Sequence, residues 1–180
     1  MPAPRRAALT GAPGAGKSTL LAALEGRGFS TIPEVARTIL QAPGGMEMRA
    51  ERPLDFADAM LQAQLAAWDS AGHTVLPVVL DRGFPDIAGF LQLEGLPIPA
   101  ELDRVCRTLR IDGPVFRAPP WPAIYRQDDQ RTQDWDAAVA SDAAIRSAWK
   151  DYGYDLVDLP LVPVDPRAAF VAAELGRKPG

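Results

Sequence analysis

The chain is poor in the residues that build disulfide frameworks and transition-metal sites. It has one cysteine, Cys106, and one histidine, His73. A lone thiol cannot close an internal disulfide, and one thiol with one imidazole gives no zinc-ligand spacing. Basic residues are outnumbered, with 19 Lys and Arg against 23 Asp and Glu and a formal net charge of −4. That balance argues against a general nucleic-acid or membrane surface, where a basic face is expected, although a local basic cleft can sit inside an acidic total. No apolar run approaches the ~18–20 residues of a membrane span. Residues 1–10 do not read as a signal peptide, so the expected setting is the reducing cytoplasm. Internal repeats, low-complexity tracts and domain linkers are also missing. The 180 residues are enough for a single domain, 1–180, with one well-buried core.

Glycine and proline are plentiful, and they are densest in residues 9–20, "LTGAPGAGKSTL". The spacing Gly11-x-x-x-x-Gly16-Lys17-Ser18 fits the P-loop, whose backbone N–H groups wrap phosphates. The flanks agree. Arg5–Thr10 reads as a strand and Ser18–Glu25 as a helix stopped by Gly26. Glycines at 11, 14 and 16 permit positive φ and close approach of main chain to ligand. The helix start directs free N–H groups and partial positive charge at the same point. The expected cradle is Gly11, Ala12, Pro13, Gly14, Ala15, Gly16, Lys17, Ser18 and Thr19. Lys17 is expected to reach the β- and γ-phosphates, and Ser18 to place its hydroxyl on Mg²⁺. ATP is the expected nucleotide, since no guanine-reading Asn-Lys-x-Asp tetrapeptide occurs.

Strand and helix signals alternate along the rest of the chain. Strands are expected at Phe29–Ile32, Thr74–Leu80, Val115–Phe116 and Asp155–Leu159. Helices are expected from Pro33 to Gln41, from about Leu54 to Ala71, near 86–94 and 99–108, from Asp129 to Tyr152 and from Pro166 to Gly176. In the helix from Asp129, Trp135, Val139, Ile145 and Trp149 are expected on one face. Residues 43–53 read as a proline-bounded loop. This alternation predicts a mostly parallel sheet with helices on both faces, an α/β fold of three α/β/α layers.

Beyond the cradle, Asp81 ends an apolar strand. Carboxylates there can hold Mg²⁺ through water, because ligands in open α/β sheets sit beyond the carboxyl ends of strands. Its neighbour Arg82 can contact phosphate or acceptor. Asp86 reads equally as a further site acid or as an N-cap. Glu34 and Arg37 form an i,i+3 pair that can face the cleft, with Glu34 able to orient or deprotonate an acceptor hydroxyl. Arg117, Arg126 and Arg131 lie in a proline-rich stretch, 117–134, that reads as a lid. Cations there can neutralise charge on a transferring phosphoryl group. Trp121 and Tyr125 read as hinge packing, or alternatively as a stack for an acceptor ring.

The segments "TGAPGAGKSTLLAALEGRGFSTIPEVAR", "LDRGFPD" and "PPWPAIYRQDDQR" resemble a bacterial family of single-domain AAA-type ATPases. That family is related to nicotinamide-riboside kinase domains and, distantly, to nucleoside and nucleotide kinases. The likeness runs through the ending "YDLVDLPLVPVDPRAAFVAAEL". It implies a P-loop kinase-like sheet of five strands in the order 2-3-1-4-5. It also implies an acceptor-side acid at Glu34, an Asp-Arg pair at Asp81 and Arg82, and lid arginines at Arg126 and Arg131. No sensor or arginine-finger motif of oligomeric AAA machines is evident. The expectation is a kinase that transfers the γ-phosphoryl group of Mg²⁺-ATP to a small, nucleoside-like metabolite. The alternative is a regulatory ATPase or nucleotide-dependent switch without such an acceptor.

Overall fold

The computed structural model describes residues 5–125 and 134–176. Five strands form one parallel sheet: β1 (Arg6–Gly11), β2 (Ser30–Ile32), β3 (Val78–Asp81), β4 (Val115–Ala118) and β5 (Leu156–Asp158). Their order is β2-β3-β1-β4-β5, as the family resemblance implied. The helices are α1 (Lys17–Glu25), α2 (Val35–Gln41), α3 (Gly45–Glu51), α4 (Pro53–Ala71), α5 (Phe84–Leu93), α6 (Ala100–Thr108), α7 (Trp135–Asp151) and α8 (Val164–Gly176).

The two-residue period of the strands divides the core. Ala8, Val78, Leu80 and Val115 face one side, where they meet buried residues of α4, α5, α6 and α7. Ala7, Leu9, Val79 and Phe116 face the other, against α1 and α8. Both faces are covered, which is why these strands read as continuous apolar runs. Trp149 of α7 is fully buried in the first cluster.

Register sets up the site. Leu9 pairs with Asp81, Ile32 with Leu80 and Thr10 with Arg117. The chain therefore leaves β1, β2 and β3 along one edge, bringing Gly11, Glu34 and Asp81 together from distant parts of the sequence.

Several elements differ from the sequence reading. Residues 43–53 are not one loop. Gly44 turns the chain in the left-handed region at φ 77°, and Gly45–Glu51 then forms α3. The run Met46–Glu51 is made of good helix formers, and its flanking prolines bound the helix without interrupting it. The third strand begins only at Val78. Pro77 has no N–H to give a ladder, and Val75 and Leu76 before it are exposed. The fifth helix begins at Phe84, ahead of the expected start. Among the described residues α7 begins at Trp135, where the Asp134 side chain accepts from Ala137 N–H at 2.8 Å; the expected start at Asp129 lies outside them. Val139 is exposed, and Ala138 and Asp142 share the buried face with Ile145 and Trp149. No helix among the described residues is long and apolar enough to cross a membrane.

Candidate active site

The glycine-rich turn connects β1 to α1 and is shaped by positive φ at Gly11 (115°), Gly14 (71°) and Gly16 (80°). Gly11 has a second reason to lack a side chain. A Cβ there would lie 2.3 Å from the Ala118 carbonyl oxygen of β4. Lys17 is buried and its Nζ donates to the Ala12 carbonyl at 2.7 Å, so it folds back over its own loop. Burial, with help from nearby Arg82, lowers its pKa to about 8. The hydroxyl-bearing Ser18 and Thr19 are exposed at the helix start.

From α8, Arg167 braces this loop. It is buried, donates to the Ala15 carbonyl at 3.0 Å and lies 5.4 Å from the ring centre of Trp121. No signal in the sequence marked it, because the contact spans the length of the domain.

At the end of β3, Arg82 is the one non-glycine residue at positive φ among the described residues, at 74°. That conformation costs an L-residue about 1–2 kcal/mol and persists only where the surroundings over-determine it. Here they do. Arg82 Nε donates to Glu34 Oε1 at 2.7 Å, and Nη1 donates to Asp86 Oδ1 at 3.0 Å and to the Gly11 carbonyl at 3.3 Å. Asp86 in turn accepts from Thr10 Oγ1 at 2.5 Å, Gly83 N–H at 2.8 Å and Trp149 Nε1 at 3.0 Å. Asp86 is thus not the N-cap that the sequence offered as one reading; Gly83 holds that position. From the third position of α5 it accepts the N–H of that N-cap residue, and it holds the arginine.

Glu34 also departs from expectation. It precedes α2 and is not on a helix face with Arg37; its partner is Arg82. Burial pushes the Glu34 carboxyl up, but the charges of Arg82 and Lys17 outweigh this and bring it down to about 2. Asp81 goes the other way. Burial, against the pull of Lys17, pushes it up to about 6. Its Oδ1 is buried without a hydrogen-bond partner.

These groups line one open cleft of about 160 Å³. Pro13, Gly14, Lys17, Ser18 and Asp81 form its phosphate-loop half. Its second half lies past Glu34 and Arg82 and is built from α2, α3, α4 and α5: Arg37, Arg49, Phe56, Met60, Gln64 and Phe90. Phe56 and Phe90 meet edge to face at 5.4 Å, and the Arg49 guanidinium lies 5.9 Å from the centre of the Phe90 ring. Gln64 is 2% exposed, and its Nε2 has no hydrogen-bond partner. Of this half the sequence reading named only Arg37 and missed the rest. Its trace was the i,i+4 row Phe56, Met60, Gln64, Trp68, in which one amide interrupts an apolar stripe.

The lid reading changes as well. Arg117 is part of β4 and is held at the sheet. It donates to Asp142 at 3.2 and 2.6 Å and to Asp158 at 2.9 Å. It ties α7 and β5 to β4 and is not a free lid cation. Arg126 and Arg131 lie outside the described residues. Trp121 packs on Arg167, and Tyr125 meets the Trp135 ring edge to face at 5.6 Å. Neither is among the residues lining the cleft.

The fold is shared with solved proteins that include two kinases. Deoxyadenosine kinase from M. mycoides, solved with the products dCMP and dCDP, superposes with a TM-score of 0.71 at 13% identity, over 94% of this chain and 98% of that one. NadR in complex with NR gives 0.69 at 17% identity, over 97% of this chain and half of the other. Thymidylate kinase from Candida albicans gives 0.63 at 13% identity, over 95% and 90%. Comparison with curated proteins gives no match. The AAA_28 model, described as an AAA domain, matches residues 6–167. With that match spanning the sheet, the phosphate loop and the start of α8, the chain belongs to the AAA_28 family of AAA domains.

Proposed function

We propose that this domain is an ATP-dependent phosphotransferase that moves the γ-phosphoryl group onto a hydroxyl of a small, ring-bearing metabolite. The observation that carries this is the second half of the cleft. A switch that only hydrolyses nucleotide needs the phosphate loop and a water. It does not need a pocket beyond Arg82 floored by Phe56 and Phe90, with a buried amide that has an unpaired N–H. Deoxyadenosine kinase, NadR with NR and thymidylate kinase support a nucleoside-like acceptor by analogy of fold.

In this reading Gly11–Thr19 wrap the phosphates, and Lys17 exchanges its bond to the Ala12 carbonyl for the β- and γ-oxygens. Ser18 and Asp81 suit Mg²⁺. One supplies an exposed hydroxyl and the other a buried carboxylate oxygen still lacking a partner, and Mg²⁺ takes few protein ligands beside phosphate and water. When bound, the ion neutralises charge on the β- and γ-phosphates. Arg82, fixed by Glu34 and Asp86, presents its guanidinium where charge develops on the transferring group. Glu34 accepts the hydrogen bond of the acceptor hydroxyl. Its low pKa makes it an orienting base that takes the proton only as the oxygen–phosphorus bond forms. The side chain of Gln64 meets the polar edge of the acceptor ring.

The test is a metabolite screen with ATP, read as ADP released above the acceptor-free rate. Acceptor-dependent release supports the kinase. Steady acceptor-independent hydrolysis, with no stimulating metabolite, supports the regulatory switch instead.

A further inference from the structure

The charges of the cleft are unevenly matched. In the phosphate-loop half, the charged groups that line the cleft face opposing ones. Arg82 bridges Glu34 and Asp86, and Lys17 faces Asp81, Glu34 and Asp86. In the second half, Arg37 and Arg49 line the wall. Glu34 interacts with the charge of Arg37, but its Oε1 is taken by Arg82. Arg49 rests over the Phe90 ring. Other acids of α3 and α4 do not line this cavity: Asp55 pairs outside it with Arg52, and Glu47 and Glu51 are absent from its wall. Neither Arg37 nor Arg49 forms an ion pair among the described residues. Two half-buried guanidinium groups thus border an aromatic floor, where attraction to an anion is stronger than between fully solvated charges. Beside them the buried Gln64 amide has an unsatisfied Nε2. A buried donor without a partner is costly, and a bound ligand can relieve that cost.

We propose that the acceptor carries an oxyanion of its own, a phosphate ester or a carboxylate, held by Arg37 and Arg49 while its ring lies on Phe90 and Phe56 against Gln64. This rests on the reading of the second half-cleft as an acceptor pocket, and it narrows that acceptor from a neutral nucleoside-like metabolite to an anionic one. Guanidinium forks match the planar oxygens of either group. Arg49 and Arg37 are then specificity-determining residues and take no part in bond making.

Binding separates this from the kinase reading, because it needs no turnover. Calorimetry would compare nucleosides, their 5′-monophosphates and their 5′-carboxylates on the protein saturated with a non-hydrolysable ATP analogue. The anionic members of at least one set should bind tenfold or more tighter than the neutral parent, with the advantage shrinking as salt rises. The phosphate and carboxylate arms separate the two oxyanions. Arg49→Gln and Arg37→Gln should erase most of that advantage while leaving neutral-ligand and ATP-analogue affinity in place, with melting curves to verify the fold. Equal affinity for neutral and anionic members, no binding by any of them, or an advantage that survives both substitutions would overturn the proposal. Anionic ligands that bind as described but yield no ADP with ATP would sustain it and remove the kinase reading.

Discussion

The wall around residues 11–19 is made largely of main chain, whereas the wall beyond Arg82 is made of side chains from four helices. The first depends on backbone dihedrals. Three glycines hold φ between 71° and 115°, and the helix start supplies N–H groups whatever the side chains are. Such a wall suits a ligand common to many proteins, a chain of phosphates. The second depends on which residues α2, α3, α4 and α5 happen to point inward, so it suits a ligand particular to this one. Between them stands Arg82, at positive φ and held by the carboxylates of Glu34 and Asp86.

If that division is right, substitutions on the two sides should fail differently. The largest effect is expected at the boundary. Glu34→Gln keeps the shape, removes the charge and loosens Arg82. Phosphoryl transfer at saturating ATP should fall by ~10²–10⁴, while ATP affinity measured by calorimetry hardly moves. Loss of both would place Glu34 in the nucleotide half. Lys17→Ala removes the side-chain cation of the phosphate wall. Turnover should drop by about 10²–10³, with acceptor binding retained; unchanged turnover would sink the phosphate assignment.

Gln64→Leu reaches only the second wall. It exchanges an unsatisfied buried amide for an apolar group of similar size, so stability should hold or improve slightly. The acceptor kcat/KM should fall by about 10–100-fold, the cost of one or two lost hydrogen bonds. Wild-type acceptor kinetics in the Gln64→Leu protein would detach the amide from the acceptor. The smallest effect is on stability. Glu34 is depressed from an ordinary 4.5 to about 2. Its contribution is therefore present above about pH 4.5 and is lost as pH falls through about 2. Urea midpoints of the ligand-free protein followed between pH 5 and 2 should fall more steeply for wild type than for Glu34→Gln. Parallel curves would mean that the Arg82 contact adds nothing to folding.

How much of this was legible follows the same division. The P-loop was readable because its residues are contiguous and backbone geometry demands glycine at particular steps. Asp81 was readable because an apolar strand ended on it. Glu34 and Arg82 were each visible but not as partners, since only the pairing of β2 with β3 and the turn after β3 bring them to 2.7 Å. Arg117 was misread as a lid residue because its two acids, Asp142 and Asp158, lie 25 and 41 residues away.

From the sequence alone came the alternation of strands and helices, the phosphate loop and the acids beyond the strands, because each depends on a local pattern of period, turn chemistry or spacing. The strand order was legible through the family resemblance, since nothing local specifies which parallel strands are neighbours. Tertiary structure alone decided that Asp86 holds Arg82 in a left-handed turn, that Arg167 braces the phosphate loop from α8, and that Phe56, Gln64, Phe90 and Arg49 share one wall. Those groups meet only when helices pack across the sheet, and which faces of two helices touch is set by the whole core and not by either helix's own residues.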